Sequence, residues 1–173
     1  MRRLLLVMSL CLAALPSPAT AGVVISVDAF AQQMTVTVDG APRYTWQVST
    51  GRPGYATPAG SFAPLRMERE HYSREWDDAP MPYAIFFTPR GHAIHGTQST
   101  ASLGSPVSHG CVRLAPKNAA LLFSLVEEQG LADTRVEIVG GALAVDVPMS
   151  PSATGGQPYQ IDFDRLIRVL DGG

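Results

Sequence analysis

The sequence predicts a mainly β domain with one main helix, an α+β arrangement with the strands closing as a mixed sandwich or barrel. Two observations carry this. Short segments alternating apolar and polar residues recur between Gly- and Pro-marked turns from Val23 onward, and only Pro116 to Gln129 shows a convincing helical stripe in the main body.

Val23 to Asp28 alternates as a strand does, and Gln33 to Asp39 repeats the pattern with β-branched residues. Asp39-Gly40-Ala41-Pro42 reads as a turn, and Arg43 to Ser49 returns as a third strand of an antiparallel meander. Thr50 to Gly60 is a loop rich in Gly and Pro, followed by a short strand over Ser61 to Leu65. Arg66 to Pro80 mixes charges of both signs with Tyr72 and Trp76. It reads equally as a solvated insertion or as a lid over a groove. Tyr83 to Thr88 and His92 to His95 read as strands joined at Pro89-Arg90-Gly91, and Thr97 to Val107 as a polar loop. In the helix, Leu121, Leu122, Leu125 and Val126 share a stripe, Pro116 suits the first turn and Gly130 the position after the last. Thr134 to Val139 closes the domain with a strand.

The ends differ in composition. Arg2 and Arg3, the apolar run Leu4 to Leu15 and the small residues Ala19-Thr20-Ala21 predict a secretory signal peptide over 1–21, since the run is too short to cross a bilayer. Leu10 stands where a lipidation signal at Cys11 needs a small residue. A domain over 22–141 and a Pro/Gly-rich linker and tail over 142–173 follow, with a short helix expected within Tyr159 to Leu170. Cleavage after Ala21 removes two arginines and no acid, taking the formal charge from −2 to about −4. With Lys117 as the only lysine, the composition argues against nucleic-acid binding, and no stable membrane anchor remains after cleavage.

Cleavage also removes Cys11 and leaves Cys111 alone, so no internal disulfide can form. A lone thiol in an exported chain is a dimer link, a buried filler or a reactive group. Its surroundings, Ser108-His109-Gly110-Cys111-Val112-Arg113, favour the last. In an extended chain His109, Cys111 and Arg113 would share one face, and Gly110 would free backbone N–H groups for an oxyanion. Nucleophile, base and oxyanion donors are the parts acyl transfer needs. A zinc site from His92, His95, His109 and Cys111 is disfavoured, because residues three apart on a strand face opposite ways. A structural cysteine beside core histidines remains the plainer alternative.

Ile94-His95-Gly96-Thr97 followed by Ser108-His109-Gly110-Cys111-Val112-Arg113-Leu114 resembles the signature of the L,D-transpeptidase catalytic domain, the YkuD-like family. The likeness extends upstream to Met81-Pro82-Tyr83, Thr57-Pro58-Ala59-Gly60-Ser61-Phe62, Ser49-Thr50-Gly51 and Gln33, and covers roughly Val23 to Val139. Arg113 stands where some members carry Asn.

The resemblance implies a YkuD-like fold with Cys111 as nucleophile, His95 as the base that takes its proton, and the Gly96 carbonyl holding that imidazole. Backbone N–H groups around His109, Gly110 and Cys111 would form the oxyanion hole. His109 would line the site, Arg113 would orient a substrate carboxylate, and Ser108 would shape the turn. Tyr83 and Trp76 are further candidates for the groove, whereas His92 and His71 are expected at the surface. No cofactor and no metal are implied.

The implied substrates are peptidoglycan stem peptides. Cys111 would acylate on a tetrapeptide stem with release of D-Ala, and an amine would resolve the thioester. That amine is a second stem, giving a 3→3 cross-link, a lysine of a wall-attached lipoprotein, or a free D-amino acid. A cysteine endo- or carboxypeptidase or amidase using water is the alternative, and a non-catalytic wall-binding module a third. The implied location is the periplasm or cell wall.

Overall fold

The computed structural model describes residues 22–140 and 142–143, so the leader expected over 1–21 and the helix expected within Tyr159 to Leu170 lie outside the described residues. The chain forms β1 (Val23–Asp28), β2 (Gln33–Val38), β3 (Ala41–Gln47), β4 (Pro58–Phe62), β5 (Arg66–Glu68), β6 (Tyr72–Ser73), β7 (Ala79–Pro80), β8 (Ala84–Phe86), β9 (Ala93–Gly96) and β10 (Val112–Leu114). Helix α1 (Pro116–Gln129), β11 (Thr134–Val139) and β12 (Ala142–Leu143) follow. A 3₁₀ turn at Thr100–Ser102 interrupts the polar loop. Among the described residues the architecture is mainly β with one α-helix and mixed sheets, as the alternation predicts.

The larger sheet runs β12-β4-β11-β1-β2-β3 and the smaller β10-β9-β8-β5. β1 pairs antiparallel with β2 and parallel with β11, opposing Ile25 to both Val36 and Val136. Alternation then sends Val23, Ile25 and Val27 inward with Met34, Val36, Val136 and Ile138, all fully or nearly fully buried. The helical stripe Ala119, Leu122, Phe123 and Val126 joins Ile85, Ile94, Val112 and Leu114 of the smaller sheet in that core.

Three strand assignments differ from the sequence reading, the first being β3, which begins at Ala41 inside the expected turn and ends at Gln47. The strand expected at Ser61 to Leu65 lies earlier, at Pro58–Phe62, where Phe62 opposes Val136 and Gly60 opposes Ile138. Its register follows a partner more than 70 positions away, which local alternation does not report. The charged stretch 66–80 is structured: β5 joins the smaller sheet against β8, and β6 and β7 form a separate hairpin. The backbone bonds Met81 N–H to His71 O and Tyr83 N–H to Arg69 O extend that ladder. Asp77 and Asp78 adopt positive φ at its tip, where short polar side chains tolerate the left-handed region.

The smaller sheet positions the site because it has two different faces. Ile94, Val112 and Leu114 point into the core, so their neighbours emerge on the other side. There Met81, Ala84, Phe86 and Ala93 form a second apolar cluster with Cys111 packed against it.

Candidate active site

β9 and β10 run parallel, with Val112 opposite Ile94 and Arg113 opposite His95. Cys111 therefore comes alongside Ala93, and the nucleophile and base candidates leave adjacent strands on the outer face. The loop carrying Cys111 is held from its other side by the segment 49–52. Ser49 and Arg113 exchange backbone bonds at 3.0 and 2.9 Å, Ser108 N–H donates to Thr50 O, and Arg52 N–H donates to Ser108 O.

The extended conformation expected for Ser108 to Arg113 holds only from Val112 on. Before it the chain turns, with Gly110 at φ +113°. The buried Ser108 hydroxyl donates to Cys111 O at 2.6 Å and accepts Gly110 N–H at 3.1 Å, closing that turn. The alternation argument thus fails between His109 and Cys111. The same bond spends the Gly110 amide internally. Among the described residues, the amides of His109 and Cys111 have no hydrogen-bond partner, and these remain for an oxyanion.

His95 is 5% exposed, and its Nδ1 lies 2.8 Å from Gly96 O. A carbonyl only accepts, so Nδ1 carries the proton and Nε2 keeps its lone pair, the tautomer a general base requires. Gly96 N–H in turn donates to Pro82 O. Burial pushes the His95 pKa down to about 4; the Gly96 bond opposes the shift, while the charges of Arg113 and His71 add to it. Burial also pushes the Cys111 thiol up, against the Ala93 N–H and Arg113, with Glu75 reinforcing the rise. Both shifts oppose a standing ion pair, although the Cys111 side chain is only partly covered. The helix dipole does not alter this, since β10 separates Cys111 from the first turn of α1, where such fields are confined.

His109 lies at the centre of an aromatic group. The Trp76 ring stacks on it with centroids 3.7 Å apart, the Tyr55 ring meets it edge-on at 5.0 Å, and Tyr55 also touches Trp76. The tip of the β6–β7 hairpin thus closes onto the residue two positions before the thiol. Tyr83 has positive φ and packs elsewhere: its ring meets Phe123 of α1, and the Arg69 guanidinium lies over both rings. Replacing Trp76 with alanine is expected to raise KM for a stem-peptide substrate up to about tenfold, the worth of one aromatic stack. It should also speed alkylation of Cys111 by a small reagent; steady-state kinetics and timed intact-mass measurements check the two effects.

His92, expected at the surface, is half-buried in the site. Its backbone N–H donates to Thr88 Oγ1, whose own proton is then free to reach His92 Nδ1 at 2.8 Å. The ring edge fills the space beside Gly110, where a Cβ would come within 2.9 Å of Cδ2. Gly110 is therefore required twice, by its φ and by this imidazole. Thr88 and His92, four apart across a Pro-Arg-Gly turn, were the sequence signal. Tyr55 was missed as well; its signal was an aromatic residue within a Gly/Pro-rich loop. His71, at the other margin, bonds Glu68 at 2.6 Å and meets Phe86 edge-on. Among the described residues no three His, Cys, Asp or Glu side chains converge as a metal site.

Comparison with known proteins gives a consistent result. The family model of the YkuD L,D-transpeptidase catalytic domain matches residues 22–138. The YkuD protein of Bacillus subtilis is 29% identical over 119 residues, covering 68% of this chain and 69% of that one. L,D-transpeptidase 1 of Mycobacterium tuberculosis is 32% identical over 123 residues, 64% of this chain and 47% of the relative. Among solved structures, an L,D-transpeptidase from Mycobacterium smegmatis superposes with a TM-score of 0.62 at 28% identity, covering 68% of this chain and 58% of that one. The chain thus spans about half to two thirds of these relatives' length.

Proposed function

Because the chain belongs to the YkuD family of L,D-transpeptidase catalytic domains, we propose that it is an exported peptidoglycan L,D-transpeptidase with Cys111 as nucleophile. The observation that supports this reading is the pairing of β9 with β10, which brings Cys111 and His95, a histidine whose Nε2 is unprotonated, to one face of adjacent strands. The leader-like N-terminus supports export to the periplasm or cell wall.

On this reading Cys111 Sγ attacks the carbonyl joining the diamino acid to the terminal D-Ala, and His95 Nε2 takes the thiol proton as the C–S bond forms. The oxyanion accepts from the His109 and Cys111 amides. As the C–N bond breaks, His95 returns the proton to the departing D-Ala amine. An acceptor amine then attacks the thioester and gives a proton to His95, which passes it to the sulfur. One amide replaces another, so no external energy source is consumed. The amine is that of a second stem, giving a 3→3 cross-link, or a lysine of a wall-attached protein.

Mass spectrometry of products from purified tetrapeptide muropeptides tests this. The expected products are free D-Ala and a 3→3 linked dimer, both absent with Cys111→Ala. Tripeptide alone would assign the chain to hydrolysis. The same dimer from Cys111→Ala would remove the cysteine from the mechanism.

A further inference from the structure

The loop 49–52 brings a second guanidinium to the groove. Arg52 N–H is bonded to Ser108 O, and Tyr55 N–H to Arg52 O, so the Arg52 backbone is fixed beside the catalytic turn. Its guanidinium lies 4.6 Å from the centre of the Tyr55 ring, which itself abuts His109. Arg113 leaves β10 from the opposite side of the same turn. Burial lowers the His109 pKa, and the charges of Arg52 and Arg113 add to that shift. Arg113 follows Cys111 by two residues, inside β10, and is the nearer to the thiol, whereas Arg52 is tied to Ser108 at the far end of the turn.

Among the described residues neither arginine has an acidic partner. The described ion pairs are Arg66–Glu68, Arg69–Glu127 and His71–Glu68, and none involves Arg52 or Arg113. Glu75, on the hairpin tip, is the acid whose charge reaches Cys111, and it pairs with neither. Two half-exposed arginines on segments flanking one turn, on a chain with more acids than bases, match a ligand carrying two anionic groups.

We propose that Arg52 and Arg113 form a two-carboxylate subsite for the donor stem, Arg113 taking the carboxylate of the terminal D-Ala and Arg52 a carboxylate on the side chain of the preceding diamino acid. This rests on the transpeptidase reading for the identity of the donor. It makes Arg52 a specificity residue: a donor whose side-chain carboxylate is amidated presents a neutral group to a guanidinium that binds it without the charge-assisted bond.

The test measures binding apart from turnover. Calorimetric titration of Cys111→Ala protein with two tetrapeptide muropeptides, one with the diamino-acid carboxylate free and one amidated, should show about tenfold tighter binding of the free form. Adding Arg52→Gln should abolish that preference, and Arg52→Lys should keep part of it. Equal affinity for the two donors, or a loss in Arg52→Gln that is the same for both, overturns the subsite. A preserved preference in protein whose wild-type form turns over neither donor would retain the subsite and overturn the transpeptidase reading instead.

Discussion

Glutamine in place of His95 is expected to lower kcat/KM on a tetrapeptide donor by roughly 10² to 10⁴, the range for loss of a general base. Alkylation of Cys111 by a small neutral reagent at pH 7 should change far less. The two measurements are expected to differ because burial lifts the thiol and lowers the imidazole, which opposes a standing thiolate; on the proposed mechanism His95 then acts as a carbonyl accepts the sulfur. A comparable fall in both rates would mean that His95 sustains an ion pair before substrate arrives. The same burial predicts a pH effect on stability. His95 gains its proton near 6.5 when unfolded but only near 4 when folded, so between those values the unfolded chain holds more protons. Stability present above pH 6.5 is thus lost as pH falls towards 4, by an amount of order 3 kcal/mol. Denaturant titrations across that window should show the decline in wild type and a shallower one in His95→Gln.

Gly51→Ala is expected to be the most destabilising single change outside the core, costing about 3 kcal/mol or more. A Cβ at position 51 would fall 1.8 Å from Tyr55 O and 2.7 Å from Thr57 N. Both are backbone atoms, which cannot rotate aside as a side chain tip can. Gly51 N–H also donates to Thr57 Oγ1, so displacing the loop breaks that bond and the flanking bonds to Ser108. Thermal denaturation should show a large fall in Tm, with loss of activity even in the fraction that remains folded. An unchanged Tm would mean that this loop is not held as described.

What the sequence revealed, and what it did not, divides by the range of the interactions. β1, α1 and β11 were legible to the residue, since alternation, a Pro at the first turn and a Gly beyond the last are local signals. β4 and β5 were not, because each takes its place from a partner chosen by tertiary packing. In the site, His95 and Cys111 stood out as residue types that carry chemistry. The charge state of the pair was hidden, because it depends on how deeply the outer face of the smaller sheet is covered. His92 was hidden too, since its place is set by the volume that Gly110 leaves empty.

The apolar seat of Cys111, built from Met81, Ala84, Phe86 and Ala93, has a consequence for the lifetime of the protein. Peroxides and stray disulfides consume thiolates, and on the proposed mechanism a sulfur kept protonated until a substrate carbonyl arrives would offer them little to attack. The seat thereby confines the reactivity of Cys111 in time as well as in space, which suits a chain that has no second cysteine among its described residues to rescue an oxidised one.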